Sequence, residues 1–252
     1  MFRKTMLWAV AGVLIGIAAQ AQTADDLIAK NLAARGGKDK IKAIQSAKVT
    51  GKMTMGPGMD APFSWEWKRP NNFRLEFTVQ GMTGIQAYDG TTGWMVMPFM
   101  GKKDPEKMSE QDMKDVDDQA DFEGPLVDYK AKGHAIEFVG KEPIEGTDAF
   151  KLKLTKKNGD VSFIYLDAES YLEIKEVGKR TIRGEEHEFE STSGDYKEVG
   201  GVMFAFSMEQ KPKGAPQGQV MTIEKIDLNT DEPGDRFKMP EVKPAEAPKS
   251  GQ

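Results

Sequence analysis

From about residue 45 onward, apolar and polar residues alternate one by one, and this period of two restricts the fold more than any other feature of the chain. The clearest runs are residues 47–55, 63–68, 73–79 and 202–208. Neighbouring side chains on a β-strand point to opposite faces, so each run predicts a strand with one apolar and one polar face. Strands of this kind form antiparallel sheets that are covered on one side.

Turn sequences separate these runs, as hairpin connections require. They include Gly56-Pro57-Gly58, Arg69-Pro70-Asn71-Asn72 and Asp89-Gly90. Further candidate strands continue to about residue 228, without strand–helix–strand units or an internal repeat of fixed period. We therefore predict a mainly β (α+β) fold: a strongly curved antiparallel sheet, or incomplete β-barrel, of about 10–11 strands, with helices covering its apolar concave face.

Two segments have helical periodicity instead. Thr23 can cap a helix that carries Leu27 and Ile28 on its apolar face. Residues 105–133 interrupt the strands with an acidic stretch in which Ser109 can cap a second helix. We predict an amphipathic insert there, because three apolar residues fall at helical spacing. These are Met113, Val116 and Ala120.

The first 21 residues have the features of a secretory signal peptide. Arg3 and Lys4 precede an uncharged apolar run over residues 7–19, and Ala19-Gln20-Ala21 supplies the small residues that a signal peptidase recognises. The run is too short for a stable membrane-spanning helix, and a permanent anchor is the alternative interpretation. We predict cleavage after Ala21 and export to the periplasm.

The composition restricts the class of protein further. The chain has no cysteine, so disulfides and zinc–thiolate sites are excluded. A formal net charge of −5 does not favour nucleic acid or an anionic membrane surface as a partner. Residues 22–240 are predicted to form a single domain, and the Pro-, Lys- and Ala-rich residues 241–252 a disordered tail.

The sequence offers little that suits catalysis. His134 and His187 are the two histidines, and neither lies in a zinc-binding or nucleophile-activating motif. The aspartates of residues 112–121 lack the glycine and glutamate of an EF-hand loop, so a solvated helix face is favoured over a calcium site. We predict a protein that is not an enzyme, with no catalytic residue, metal or cofactor.

Two stretches carry a family resemblance. Residues 67–74 read Trp-Lys-Arg-Pro-Asn-Asn-Phe-Arg, and residues 88–94 read Tyr-Asp-Gly-Thr-Thr-Gly-Trp, with Pro98-Phe99 shortly after. Both resemble motifs of the LolA-like family of periplasmic proteins that sort outer-membrane lipoproteins. Weaker similarity follows in the same order along the chain, in residues 163–167, 195–201 and 237–240.

The resemblance implies an open, incomplete β-barrel that is closed by helices around an apolar cavity for acyl chains. Arg69 matches the family arginine that bonds to the lid helices and holds the empty cavity shut, so it is the candidate lid latch; a solvated surface charge is the alternative. Phe73 matches an apolar residue near the cavity mouth. The implied partners are an inner-membrane extractor and an outer-membrane acceptor protein.

We predict that large apolar side chains on the strands form the wall of this cavity. Flexible methionine thioethers suit cargoes of varied shape, although an ordinary packed core is the alternative for each residue. The predicted wall consists of Phe63, Trp65, Trp67, Phe73, Leu75, Phe77, Trp94, Met95, Met97, Phe163, Tyr165, Phe204 and Phe206.

Together these features predict a monomeric periplasmic carrier. It binds the acyl chains of lipoproteins or related lipids in a hydrophobic cavity and moves them toward the outer membrane. Two alternatives remain open. One is a regulatory binding protein of the cell envelope that senses lipid or lipoprotein, and the other is a non-catalytic structural domain with a filled core.

Overall fold

The computed structural model describes residues 22–54, 56, 60–182, 185–231 and 233–241. The predicted signal peptide, with its cleavage after Ala21, lies outside the described residues. So does nearly all of the predicted tail over residues 241–252, together with most of the Gly56-Pro57-Gly58 turn. These three features stay predictions.

Within the described residues, thirteen strands form one antiparallel sheet in the order β6-β5-β4-β3-β2-β1-β13-β12-β11-β10-β9-β8-β7. The strands are β1 (Ser46–Thr54), β2 (Asp60–Lys68), β3 (Asn72–Val79), β4 (Met82–Tyr88), β5 (Gly93–Met97), β6 (Lys102–Lys107), β7 (Ala135–Ile144), β8 (Thr147–Thr155), β9 (Val161–Asp167), β10 (Glu173–Ile182), β11 (Glu185–Val199), β12 (Val202–Pro212) and β13 (Gln219–Leu228). Strands β6 and β7 are the two free edges, so the curved sheet does not close. The predicted incomplete barrel is confirmed.

The sheet has thirteen strands rather than the predicted ten or eleven. Strand β6 is one that the alternation could not reveal, because its sequence Lys-Lys-Asp-Pro-Glu-Lys is charged on both faces. An edge strand needs no apolar face, and lysine and proline protect such an edge from pairing with another chain. Residues 105–107 therefore belong to a strand, and the helical part of the predicted insert begins later.

In the part of the chain that the structure describes, three α-helices accompany the sheet: α1 (Ala24–Ala34), α2 (Lys38–Ala43) and α3 (Glu110–Ala120). The predicted caps of α1 and α3 are confirmed. The Thr23 hydroxyl accepts from the Asp26 backbone N–H at 3.2 Å, and the Ser109 hydroxyl accepts from that of Asp112 at 3.2 Å. No helix among the described residues is long and apolar enough to cross a membrane.

All three helices pack on the same face of the sheet, which we call the inner face. Leu27 of α1 lies in a core cluster with inward side chains of β8 and β9, and Val116 of α3 lies in another with those of β1 and β3. Ile41 of α2 packs between them, against Val202 of β12. The opposite, outer face is otherwise polar over much of its width.

The chain returns to the outer face at its C-terminal end, where residues Gly234–Phe237 form a short 3₁₀ helix. Phe237 is fully buried, and its carbonyl accepts from Trp94 Nε1 at 2.8 Å. Beside it, the Arg236 guanidinium makes two 2.9 Å bonds to the carboxylate of Glu66, which is 1% exposed. Burial acts to raise the pKa of Glu66, but the charges of Arg236 and Lys48 outweigh it and hold the pKa below its ordinary value.

We expect Trp94→Phe to lower the free energy of unfolding by about 1–3 kcal/mol, because it leaves a small void and an unpaired carbonyl at Phe237. Urea unfolding followed by circular dichroism measures this. Trp65→Phe is the matched control, since Trp65 Nε1 is buried with no hydrogen-bond partner among the described residues. A cost for Trp65→Phe equal to that for Trp94→Phe would contradict the expectation.

Candidate functional site

Most of the predicted wall lies together on the inner face of strands β2 and β3. Antiparallel pairing sets Phe63 opposite Phe77, Trp65 opposite Leu75 and Trp67 opposite Phe73. Residues that face each other across two strands point to the same side of the sheet. The six side chains therefore form three adjacent apolar rows.

Other strands extend this surface on both sides. Met95 of β5 joins the same core cluster beyond β4, and Phe204 and Phe206 of β12 join it on the far side of β1 and β13. Met97 has the same parity as Met95, so alternation places it on the same face, where it is buried. We call this surface the apolar groove.

Three predicted wall residues lie on the outer face instead. Trp94 pairs with Ala87 across β4 and lies under Phe237, on the side away from the helices. Phe163 and Tyr165 pair with Lys153 and Lys151, and the Lys151 ammonium lies 4.8 Å and 5.3 Å from the centres of their rings.

The sequences of β5 and β9 explain why these three residues were misplaced. Each strand carries large apolar residues on both faces, so the alternation of apolar and polar residues does not reveal which face is inward. In β9 the inward residues are Ile164 and Leu166, which pack against α1. Trp94, Phe163 and Tyr165 are therefore removed from the predicted wall.

Sequence reasoning also left out several residues of the groove. The sequence pattern did indicate them, because they occupy the apolar positions of alternating strands or directly precede a helix. The predicted wall left them out because it favoured aromatic residues. The additional residues are Val49, Met53, Tyr88, Met108, Met208, Met221, Ile223 and Ile226.

The apolar groove is only partly covered. Helix α3 buries Val116 and Ala120 against it, yet many large side chains around them keep some contact with solvent. The partly buried members of the groove are Trp65, Trp67, Phe77, Met95, Met113, Val199, Phe204, Met208, Met221 and Leu228.

The start of α3 rests on a glycine of strand β5. A methyl group added at Gly93 would lie 2.2 Å from the sulfur of Met113 and 2.9 Å from that of Met108, closer than carbon and sulfur can approach. A side chain at this position would therefore force the two thioethers to shift. Flexible thioethers form the contact of α3 with the sheet, and such side chains can repack.

Arg69 holds the other end of α3 to α2. Its Nε donates to the carbonyl of Ile44 at 2.6 Å, and its Nη2 lies 3.4 Å from that of Ile41. The same Nη2 donates to Glu123 Oε1 at 2.6 Å, just beyond the end of α3. The contacts with helix-terminal carbonyls that the resemblance implies are present, and the role of Arg69 as a latch stays a proposal.

Three further donors bind the same segment, residues 119–124, which we call the latch segment. Trp67 Nε1 donates to the carbonyl of Gln119 at 2.7 Å, and Arg35 Nη1 donates to that of Glu123 at 3.0 Å. The Lys132 ammonium binds Asp121 at 2.6 Å and the Gly124 carbonyl at 2.8 Å. Polar bonds from Arg35 at the end of α1, from β2 and from the chain before β7 therefore hold the C-terminal end of α3.

The described residues contain no group of three or more histidine or acidic side chains placed to hold a metal ion. Two of the aspartates considered for calcium instead form ion pairs with lysines, Asp118 with Lys156 and Asp121 with Lys132. The arrangement is thus an apolar surface under a helix held by polar bonds, and its chemistry suits binding.

Comparisons with solved structures identify the same architecture. A protein of the DUF1329 family from Desulfovibrio piger is similar with a TM-score of 0.56 and 9% identity, over 83% of this chain and 95% of that one. A LolA superfamily protein from Nitrosomonas europaea is similar with a TM-score of 0.55 and 14% identity, over 86% of this chain and 98% of that one. A domain assigned to the outer membrane lipoprotein-sorting proteins from Vibrio parahaemolyticus is similar with a TM-score of 0.53 and 13% identity, over 83% of this chain and 97% of that one.

At these identities the likeness establishes a shared fold. The chain shares its fold with these three proteins, one of them described as a LolA superfamily protein, and the fold that the sequence motifs implied is confirmed. No protein-family model matches the sequence, and no curated protein matches it.

We expect Arg69→Leu to loosen the latch segment while leaving the sheet intact, because the substitution removes donors to α2 and leaves the buried carboxylate of Glu123 without this partner. Hydrogen–deuterium exchange measured by mass spectrometry should be faster in residues 110–124 and unchanged in β8 and β9. Lys130→Leu is the control, since Lys130 binds Asp25 and does not contact the latch segment. Unchanged exchange in Arg69→Leu would remove Arg69 from the latch role.

Proposed function

We propose that this protein is a periplasmic carrier that binds the acyl chains of lipoproteins or related lipids in the apolar groove and moves them toward the outer membrane. The observation that supports this most directly is the groove itself. Aromatic and methionine side chains stay partly exposed there, beneath a helix that polar contacts hold in place. A protein without apolar cargo gains nothing from leaving such a surface partly in contact with water.

The free energy of transfer suits a carrier. Burial of each methylene is worth about 0.8 kcal/mol relative to water, so a long acyl chain gains on the order of 10 kcal/mol before ordering costs. A bilayer offers a similar gain, and exchange between membrane and groove is therefore nearly balanced. A carrier needs only to shield the chain from water during transit.

The groove also offers one polar contact. The Nε1 of Trp65 is a buried donor without an acceptor among the described residues, and its ring packs on the groove. Leaving such a donor unpaired costs about 1–3 kcal/mol. The ester or amide carbonyl at the head of an acyl chain is an acceptor of the right kind, and cargo binding then offsets this cost.

The helical cover suits reversible entry. The bonds from Trp67, Arg69 and Lys132 to the latch segment are polar, so water replaces them when α3 moves away. The thioether contacts at Gly93 separate without leaving a buried polar group. Opening thus exposes the groove at a modest cost, which incoming acyl chains offset.

The other features of the proposal come from the sequence and from the fold. The predicted signal peptide, cleaved after Ala21, would deliver the protein to the periplasm. The fold is that of proteins described as LolA superfamily and lipoprotein-sorting proteins. An inner-membrane extractor would load the monomeric carrier, and an outer-membrane acceptor with higher affinity would unload it. Neither step requires a catalytic residue or a cofactor in this chain.

We expect Phe77→Ala to weaken the binding of a fluorescent fatty acid by roughly tenfold, because it removes apolar area from the groove. Phe163→Ala is the matched control: Phe163 is also a half-buried aromatic residue of a strand, but it lies on the outer face. Fluorescence titration of both variants measures the difference. Equal losses, or no binding by the wild type, would contradict the proposed groove.

We expect protein purified from its own periplasm to carry lipid that native mass spectrometry detects. Loaded protein should also deliver a labelled acyl chain from donor to acceptor vesicles. Binding without delivery would favour the sensing alternative over the carrier. Absence of both bound lipid and probe binding would favour a structural domain.

A further inference from the structure

A cleft with a volume of about 670 Å³ opens beside the latch segment, at the end of the apolar groove. Its walls come from three parts of the chain: the adjoining ends of β1 and β2, the latch segment with the last turn of α3, and the turn between β8 and β9 with residues near the start of β7. This volume is typical of small-molecule sites. Nothing in the proposed acyl-chain binding explains the polar character of the cleft.

The cleft is basic although the protein is acidic. Five lysine or arginine residues line it, against three aspartate or glutamate residues, in a chain with a formal net charge of −5. Fixed positive charge inside a cleft attracts anions more strongly than the same charge on an open surface. The basic residues are Lys68, Arg69, Lys132, Lys156 and Lys157.

The three acids of the cleft are each already bound to a cation. Asp118 binds Lys156, Asp121 binds Lys132 and Glu123 binds Arg69, all at 2.6 Å. These pairs occupy three of the five basic residues. Lys157 is in none of the pairs and is exposed at the β8–β9 turn. The acids therefore do not neutralise the cleft.

His134 adds a second donor next to Lys157. Its Nδ1 accepts from the Lys157 backbone N–H at 3.1 Å, so the proton of the neutral ring is on Nε2, which can donate. Burial lowers the pKa of His134, and the charges of Lys132 and Lys156 lower it further, against the opposing effect of Asp121 and Asp118.

The cleft and the apolar groove share a boundary. Trp67 lines the cleft and also belongs to the groove, and its ring lies 5.6 Å from that of Phe122, which lines the cleft as well. Phe122 in turn lies 6.1 Å from Phe204 of the groove. A molecule with a charged head and an apolar chain can therefore occupy both at once.

We propose that the cleft binds the phosphate-bearing headgroup of an amphiphile whose acyl chain lies in the apolar groove, with Lys157 and His134 as donors to the phosphate. A phosphate offers several acceptor oxygens, which matches a cleft lined by donors from two parts of the chain, the segment before β7 and the β8–β9 turn. This inference rests on the proposed function and narrows its cargo to anionic phosphate lipids.

The test compares three ligands that distinguish the contribution of the headgroup from that of the acyl chains. They are a short-chain phosphatidylglycerol, a diacylglycerol with the same chains, and glycerol phosphate without chains. Isothermal titration calorimetry is done with the wild type, Lys157→Glu and Lys103→Glu. Lys103→Glu makes the same change in net charge on exposed strand β6, and Lys103 does not line the cleft. We expect the wild type to bind phosphatidylglycerol roughly tenfold more tightly than diacylglycerol, as one charge-assisted contact allows.

Lys157→Glu should remove this preference and leave diacylglycerol binding unchanged, whereas Lys103→Glu should retain it. Equal binding of the two lipids by the wild type would overturn the headgroup site and leave the acyl-chain groove intact. Failure of both lipids to bind would overturn the proposed function itself. Binding of glycerol phosphate as tight as that of phosphatidylglycerol would overturn the lipid assignment in favour of a free phosphate ester.

A second measurement reports on the cleft directly. The chain has two histidines, so their ring signals can be assigned by nuclear magnetic resonance with a His187→Gln variant. A bound phosphate stabilises the imidazolium ion, and phosphatidylglycerol should therefore raise the pKa of His134 while diacylglycerol leaves it unchanged. An unchanged pKa with phosphatidylglycerol bound would overturn the proposal.

Discussion

The structure depends on one constraint: three short helices must cover the apolar face of a thirteen-stranded sheet. They do so unevenly. Under α1, strands β7–β9 form a closed core in which Leu152, Leu154 and Leu166 have no exposed surface. Under α3, strands β1–β5 and β12–β13 keep partly exposed aromatic and methionine side chains. The first half is the more completely buried one, and the second half contains the groove that we propose as the acyl-chain site.

The two covers are also attached differently. Helix α1 is held by buried aliphatic contacts, and Asn31 adds a 2.8 Å bond to the carbonyl of Tyr171. Helix α3 has a polar sequence with few apolar anchors, and the bonds at its end come mainly from charged side chains. Hydrophobic burial resists separation in water, whereas polar bonds exchange readily with water. The fold thus combines a cover held by hydrophobic burial with one held mainly by polar bonds, and the proposed function requires the second to move.

The sequence predicted the architecture because strict alternation and turn residues determine an antiparallel sheet with one apolar face. It assigned side chains to the inner face correctly where strands have a single apolar face, as at Phe63, Phe73 and Phe77, while their role in binding stays a prediction. It was wrong at Trp94 and Phe163, where both faces of the strand are apolar and long-range packing decides the direction.

The electrostatic parts of the site were harder to predict than the wall. Arg69 was found through its motif, but Lys132 and Arg35, which bind the same segment, stand in no recognisable pattern. The basic cleft combines residues separated by nearly ninety positions along the chain, from Lys68 to Lys157. Only the folding of the open, curved sheet and its loops brings them together, so local sequence contains no sign of the cleft.

The segment Gly234–Phe237 on the outer face has a consequence for how the protein can change shape. Phe237 and Arg236 tie strands β2, β3 and β5 together from behind through Trp94, Glu66 and Glu76. Flattening or splaying these strands would break a buried ion pair and uncover two aromatic rings. The C-terminal segment therefore braces these three strands against such movement from the face opposite the helices.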